Sequence, residues 1–191
     1  MQDLIVILVG SILVNNFVLV EFLGLSTLVT SLEKTESVVG LAVATTMIMT
    51  LTTIANFAVH TLLLEPFDLI YLSTFAFIVT IGVVTLLTRE VSRTLSPFLT
   101  SGLELFTPLI YANSAVLGVS LLTMSMDLSL LQSVWLSFGT GVGFSLVLVS
   151  FTLMREKIDM ADVPKPFQGT AIGIITAGLM SLGFMGLIGL N

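Results

Sequence analysis

The sequence predicts an all-α integral membrane protein, and three observations lead to that fold class. Hydrophobic residues make up 55% of the 191 residues, and the mean hydropathy is +1.13. Charged residues make up only 9%, whereas a soluble domain carries about 25%. The charge-free runs fall into six pieces. Each piece approaches the ~20 residues that a helix needs to cross the ~30 Å hydrocarbon core of a bilayer.

The six predicted spans are joined by short loops, so we expect one membrane domain over residues 1–191 and no extramembrane domain. The start, Met-Gln-Asp, lacks the positive stretch of a cleavable signal peptide, so we expect the first span to be retained. The spans are predicted at Leu4 to about Leu28, Ser37 to about Leu63, Leu69–Thr88, about Phe98 to Leu122, Leu128–Met154, and about Gln168 to Leu190.

The fourth span contains a stretch that is wrong for a plain membrane helix. Residues 105–122 read LFTPLIYANSAVLGVSLL, and Pro108 cannot donate a backbone hydrogen bond. Asn113 and Ser114 follow and can offer side-chain partners to the backbone groups that a break sets free. We therefore expect this helix to be interrupted at mid-membrane.

The first span has the same character. Shifting it by 98 positions onto the fourth span aligns identical residues, among them Asn15 with Asn113, which is weak support alone. Interrupted segments at corresponding places of two halves point to a site at mid-membrane. We therefore expect two three-helix halves, about 1–95 and 96–191, with inverted topology and a polar site between them. Its candidate residues are Asn15, Asn16, Glu21 and Asn113.

The positive residues predict the orientation of the spans. All six Lys and Arg residues fall in alternate loops, which the positive-inside rule places in the cytoplasm. Both termini and the acidic loops are then expected outside. The positive residues are Lys34, Arg89, Arg93, Arg155, Lys157 and Lys165.

Two carboxylates interrupt the apolar spans. Glu21 lies well inside the first span, where an ionisable group is costly. It either binds a cation, carries a proton or pairs with another subunit, or it lies in a wet or protein-filled gap of a broken helix. The sequence favours neither. Glu104 is nearer the inner interface, and we expect it to reach the headgroup region.

A polar stripe and two small-residue stripes each allow two interpretations. Thr52, Asn56 and His60 are spaced by four on span two, which suits a proton or ion path, but interhelical hydrogen bonding is the commoner use. The small residues could form a subunit interface, but packing within the chain is commoner. They are Gly169, Gly173, Ala177 and Ser181 on span six, and Gly139 and Gly143 on span five.

The sequence contains no Walker loop, dinucleotide fingerprint, zinc-protease motif or catalytic triad. It contains no cysteine and one histidine, which removes thiol catalysis, disulfides and multi-histidine metal sites. A net charge of −6 argues against a nucleic-acid partner. From residue chemistry alone, the chain is either a secondary transporter or a membrane subunit of a complex. In both cases lipid surrounds it.

Three stretches resemble one family of membrane subunits: VNNFVLVEFLGLS, PLIYANSAVLGV and REKIDMADVPKPFQGTAIGIITAGLMSLGFMG. The family comprises the A and E subunits of the Rnf complex (ion-translocating ferredoxin:NAD⁺ oxidoreductase, also called Rsx) and two subunits of the Na⁺-translocating NADH:quinone reductase. The A subunits are nearest. The resemblance implies six helices in inverted halves, in a bacterial or archaeal cytoplasmic membrane. It also implies a homologous E-type partner and further B, C, D and G subunits.

The resemblance also implies a cofactor whose usual cysteine ligands this sequence lacks. In the family, two such subunits hold a [2Fe–2S] cluster with four cysteines at mid-membrane. The corresponding positions here are Ser26 and Ser114, by a natural or an engineered exchange. A hydroxyl is far less acidic than a thiol, so we expect the cluster to be absent or labile.

The resulting prediction is a non-catalytic or electron-relay subunit of a complex that couples electron transfer between ferredoxin and NAD to Na⁺ or H⁺ movement. The alternatives are a stand-alone secondary transporter and a structural protein required for assembly.

Overall fold

Every regular element in the described part of the chain is helical, which confirms the all-α fold class. The computed structural model describes residues 8, 10–14, 16–21, 23–24, 27, 35–95, 110–111 and 113–188. The α-helices are α1 (Phe17–Val20), α2 (Thr35–Val59), α3 (Ser73–Leu95), α4 (Ser114–Ser125), α5 (Leu130–Asp159) and α6 (Thr170–Ile188). Gly10–Val14 and His60–Leu64 are π-helical, and Ile70–Leu72 and Lys165–Phe167 are 3₁₀ turns.

The helices match the predicted spans closely wherever the chain is described. Three are long and apolar enough to cross a membrane: Val38–Leu64, Ile70–Val91 and Leu130–Asp159. They confirm the predicted second, third and fifth spans. Two shorter apolar helices, Ser114–Ser125 and Thr170–Gly186, correspond to the end of the fourth span and to the sixth. The beginning of the fourth span, with Pro108 and Glu104, lies outside the described residues.

The antiparallel pair of α2 and α5 forms the centre of the molecule. Hydroxyl groups meet across it, since Thr46 Oγ1 lies 3.0 Å from Ser145 Oγ and Thr53 Oγ1 lies 2.6 Å from Ser137 Oγ. A glycine permits the approach, because a Cβ added to Gly141 would lie 2.9 Å from the Cα of Thr46. Close backbone approach and hydroxyl pairs hold membrane helices together, since lipid supplies no hydrophobic force between them.

Helix α3 lies at the periphery of the described bundle. Only 17% of its most apolar stretch is buried, against 50% and 56% for the α2 and α5 stretches. The chain turns at Asp68, whose φ of 55° lies in the left-handed region, and returns along α2 as α3. Large side chains such as Phe75 and Leu87 remain exposed. A membrane protein presents such an apolar surface to lipid or to another membrane subunit.

Each interrupted segment packs on the two long helices of the other half of the chain. The first segment, comprising Gly10–Val14 and α1, packs on α5 and α6. The fourth segment, represented by α4, packs on α2 and α3. The arrangement is reciprocal, and the α2–α5 pair lies between the two segments.

Positive residues of the described long helices lie at one end of the bundle, where acidic residues such as Glu156 also lie. Arg89 lies near the end of α3, and Arg155 and Lys157 lie near the end of α5. Because α2 and α5 are antiparallel and α3 returns along α2, these three residues lie at the same end. The acidic residues Glu65 and Asp127 lie in the turns at the opposite end.

Candidate functional site

The first interruption is built around Asn16. This side chain is buried, and its Nδ2 donates to the carbonyls of Ile12 and Gly143, at 3.1 Å in each case. Its own carbonyl accepts from the backbone N–H groups of Leu19 and Val20 in α1, which begins at the residue after Asn16. One asparagine therefore joins the end of the π-helical turn, the start of α1 and the middle of α5. Asn15, the other predicted asparagine, lies outside the described residues.

Helix α1 ends after a single turn, and the chain then bends sharply. Glu21 lies at this bend and is exposed in the isolated chain. Gly24 follows with a φ of +77°, and its carbonyl accepts from the N–H of Thr27 at 3.0 Å. A positive φ costs little only for glycine, so Gly24 allows the break to be tight. The structure thus places Glu21 at the break and not inside a continuous helix.

The second interruption ends at Asn113, which caps α4. Asn113 has extended backbone angles, and its Oδ1 accepts from the N–H of Ala115 at 2.9 Å. Asparagine is a preferred residue for this role because its side chain satisfies a helix N–H that has no other partner. The Asn113 side chain is buried, and its Nδ2 has no hydrogen-bond partner in the described structure.

The two interruptions are in direct contact. The Gly24 N–H donates to Ser114 Oγ at 2.9 Å. A Cβ added to Gly24 would lie 2.9 Å from Asn113 Oδ1, and one added to Gly118 would lie 2.7 Å from Leu23 Cδ1. Two segments that a shift of 98 positions relates in the sequence therefore meet in space. We define Gly24, Asn113 and Ser114 as the junction.

Ser114 is exposed, although its neighbours Asn113 and Ala115 are buried. The junction therefore reaches the surface of the chain at a hydroxyl group. Ser26, the other predicted site position, lies outside the described residues, two positions beyond Gly24.

The junction does not offer the ligands of an iron–sulfur cluster. Ser114 Oγ already accepts a hydrogen bond from Gly24, and the sequence has no thiol. Hydroxyl oxygen is a hard donor that ionises poorly, whereas these clusters are normally held by thiolates. Among the described residues, no group of three His, Cys, Asp or Glu side chains is placed to hold a metal ion.

The predicted interhelical bonding of the Thr52, Asn56 and His60 stripe is wrong. Thr52 and Asn56 are fully buried but have no hydrogen-bond partner in the described structure, and His60 Nδ1 lies 3.4 Å from Glu65 Oε1 of the next turn. The bonds to α5 come instead from Thr46 and Thr53. The reason is geometric. Successive side chains are rotated by about 100° around a helix axis, so Thr53 can reach α5 where Thr52 does not.

The preferred interpretation of the small-residue stripes, packing within the chain, is confirmed. A Cβ on Gly143 would lie 3.0 Å from Asn16 Nδ2, and Gly139 contacts Ser11 and Leu8 of the first segment. On α6, Ser181 Oγ donates to the carbonyl of Leu19 at 2.6 Å. Gly169 does not belong to the stripe, since it lies in the turn before α6 and is exposed.

Comparison with known proteins identifies the family. Residues 4–191 match the family model described as "Rnf-Nqr subunit, membrane protein". The chain belongs to the Rnf-Nqr family. Three relatives are named as the A subunit of an ion-translocating oxidoreductase complex, and each aligns over 190 residues, 100% of this chain and 98% of the relative. The identity is 50% for Photorhabdus laumondii, 51% for Shigella boydii and 48% for Serratia proteamaculans. Family membership agrees with the resemblance seen in the sequence.

Sequence reasoning missed the role of Gly24 in this Rnf-Nqr protein. In the sequence this glycine appears only as an interruption of an apolar run. Its contact with Ser114 spans 90 positions, and no short-range pattern reveals it. A glycine directly after a broken helix was the available signal, because such a position often requires a positive φ.

Proposed function

We propose that this chain is the A subunit of an Rnf-type ion-translocating oxidoreductase complex. The observation that carries the proposal is the similarity over the whole chain, about half of all positions, to proteins that bear this name. In this proposal the complex couples electron transfer between ferredoxin and NAD to movement of Na⁺ or H⁺. The flavins and peripheral clusters would belong to the B, C, D and G subunits.

The junction supports a role at a subunit interface. A broken helix frees backbone polar groups that lipid cannot satisfy, so such a break must be covered by protein or water. Ser114 is exposed beside buried neighbours, and it lies on the surface where the two breaks meet. We propose that a homologous E-type subunit covers this surface.

The thiol-free junction supports a specific departure from the family pattern. Neither Ser26 nor Ser114 supplies a soft, readily ionised ligand, so this chain contributes no thiolate to a shared cluster. We propose that the cluster is absent or labile in this complex. The chain would then act in ion coupling or assembly more than in electron relay.

Purification of the complex from its native membrane tests this assignment. Mass spectrometry of co-purifying proteins should identify the peripheral redox subunits together with an E-type subunit. Membrane vesicles should show ion flux that depends on an electron donor, and the flux should be lost when this chain is deleted. A chain that purifies alone and moves a solute without redox partners would support the secondary transporter instead. A chain that co-purifies with partners in membranes that show no redox-linked ion flux would indicate an assembly role.

Iron measurements test the proposal that the cluster at the junction is absent or labile. Iron per complex beyond the constant contribution of the peripheral clusters should be low in the serine form, and so should the paramagnetic signal of a cluster at this site after reduction. The double variant Ser26→Cys with Ser114→Cys should raise both. The matched control is Ser125→Cys, which changes an exposed serine at the far end of α4 and should leave iron unchanged. Full, stable iron in the serine form would contradict this part of the proposal.

Cross-linking tests the interface without requiring a cluster. Because the sequence has no cysteine, Ser114→Cys carries a single thiol. A thiol-to-amine cross-linker should join it to another membrane subunit, whereas Ser125→Cys should give a much weaker product. Equal yields from the two positions would overturn the placement of the partner.

A further inference from the structure

Four fully buried polar side chains on the central helix pair have no hydrogen-bond partner in the described structure. They are Thr45, Thr52 and Asn56 on α2 and Ser133 on α5, each with a relative exposure of 0%. Both side-chain polar atoms of Asn56 lack a partner. We call these four residues the polar column.

The lack of partners is unusual within the same helix. Thr46, Thr50 and Thr53 each donate to the carbonyl four residues earlier in α2. The same bond is open to any helical threonine, yet Thr45 and Thr52 do not make it. An unpaired polar group in an apolar interior costs free energy, so these groups require a partner that the chain itself does not supply.

The register of the two helices places Thr52, Asn56 and Ser133 of the column close together. Thr52 and Asn56 are one turn apart on one face of α2, and Thr45 lies two turns before Thr52 on that face. The bond between Thr53 and Ser137 fixes the level of α5. Because the helices are antiparallel, the next turn brings Asn56 and Ser133 to the same level.

The chemistry of the column selects one class of ligand. The Asn56 amide needs both an acceptor for its N–H groups and a donor for its oxygen. A cation would leave the N–H groups unpaired, and an anion would leave the oxygen unpaired. Residues 37–64 and 128–154 also contain no Asp, Glu, Lys or Arg to balance an ion. Water both donates and accepts, and it satisfies hydroxyl and amide groups alike.

We propose that the polar column holds a row of internal waters, entered from the His60 end of α2. His60 lies one turn beyond Asn56, and its Nδ1 is 3.4 Å from Glu65 Oε1 in a turn at the end of the bundle. The side chains of His60 and Glu65 are 19% and 52% exposed, so polar groups continue from the column to the surface. The waters reach at least to the level of Thr52, about half-way along the span Val38–Leu64. This inference does not depend on the identity of the complex.

Silver-ion protection of single thiols tests the proposal in native membranes. Ag⁺ reacts with thiols and is small enough to follow waters. The variants Asn56→Cys and Ser133→Cys place one thiol each in the column. Membranes of the intact complex are exposed to Ag⁺, then denatured, and the remaining free thiols are counted with a fluorescent maleimide. The matched control is Ile48→Cys, which is fully buried in α2 at a depth between Thr45 and Thr52.

The expected result is protection of both column thiols about tenfold faster than Ile48→Cys, because a thiol ionises and reacts where water reaches it. Thr52→Cys should react more slowly than Asn56→Cys if the waters enter from the His60 end. Ser133→Cys keeps nearly the original size, so it serves if Asn56→Cys does not assemble. Column thiols as slow as Ile48→Cys would overturn the row of waters. A faster reaction at Thr52→Cys than at Asn56→Cys would overturn the direction of entry.

Discussion

Gly24 is the residue on which the contact between the two interrupted segments depends. Its φ of +77° disfavours any side chain, and an added Cβ would lie 2.9 Å from Asn113 Oδ1 and 3.0 Å from Phe144 Cε2. We expect Gly24→Ala to destabilise the chain by about 2–4 kcal/mol, since strain and crowding add. The loss of stability is measured by thermal unfolding of the complex in mild detergent, with size-exclusion chromatography as the readout of the folded fraction.

Gly169→Ala separates the two causes. Gly169 has a similar φ of +75°, but no atom lies within 4 Å of its added Cβ. It should therefore show only the cost of the left-handed conformation, about 1–2 kcal/mol. Equal losses for the two variants would mean that Gly24 is not tightly packed against the second break.

Asn113 contributes to the junction through one oxygen atom. Its Oδ1 accepts from the Ala115 N–H, whereas its Nδ2 has no hydrogen-bond partner in the described structure. Asn113→Ala should therefore cost about 1 kcal/mol through loss of the cap, and Asn113→Ser should recover most of it because serine also caps helices. The same unfolding measurement applies. A serine variant as unstable as the alanine variant would show that capping is not what the residue provides.

At the scale of the elements, the α2–α5 pair is joined by hydroxyl contacts. Thr53 and Ser137 meet at 2.6 Å, and both are fully buried. A double-mutant cycle with Thr53→Val and Ser137→Ala should give a coupling of about 0.6 kcal/mol and at most about 1.7 kcal/mol, the average and the maximum for hydrogen bonds between membrane helices. Equilibrium unfolding in mixed detergent measures it.

Thr80→Val on α3 is the control for this cycle. Thr80 donates only to Ala76 of its own helix. Its combination with Ser137→Ala should be additive, because the two sites share no contact. A coupling for this pair as large as for Thr53 and Ser137 would show that the cycle measures a general effect.

The elements also show what the sequence could and could not predict. Span positions followed from hydropathy, because each apolar run falls largely on one long helical stretch, although α3 and α5 continue beyond it through Arg89 and Arg155. Hydropathy did not predict which side of each helix faces its neighbours. Thr52 was expected to bond to another helix, whereas Thr53 makes the bond to α5. In a bilayer both the buried and the lipid-facing sides are apolar, so periodicity carries little information about which side is inside. The site residues Asn16 and Asn113 were predicted from their polarity, but their partners required the folded chain.

At the scale of the whole molecule, we propose that the two halves are related by inversion. The reciprocal packing supports this, since each broken segment contacts the α-helices of the other half. The end of the bundle with Arg155 and Lys157 would be cytoplasmic, and both termini would be outside.

Reporter fusions test this topology. A reporter active only in the cytoplasm should work when inserted after Lys157 and fail at the C-terminus. A reporter active only outside should give the opposite pattern. Fusion at the acidic turn near Glu65 is the internal control and should behave like the C-terminus. A cytoplasmic C-terminus would contradict both the orientation and the inverted halves.

The reciprocal packing has a consequence for how the protein is made. Gly24 bonds to a residue 90 positions later, Asn16 to one 127 positions later, and Leu19 to one 162 positions later. The ribosome must therefore deliver nearly the entire chain before the first segment finds its neighbours. Until then the polar groups of the first break remain in the membrane without their partners, where insertion factors can shield them and quality-control proteases can cut them. The time taken to translate the second half therefore sets how long the first half stays vulnerable.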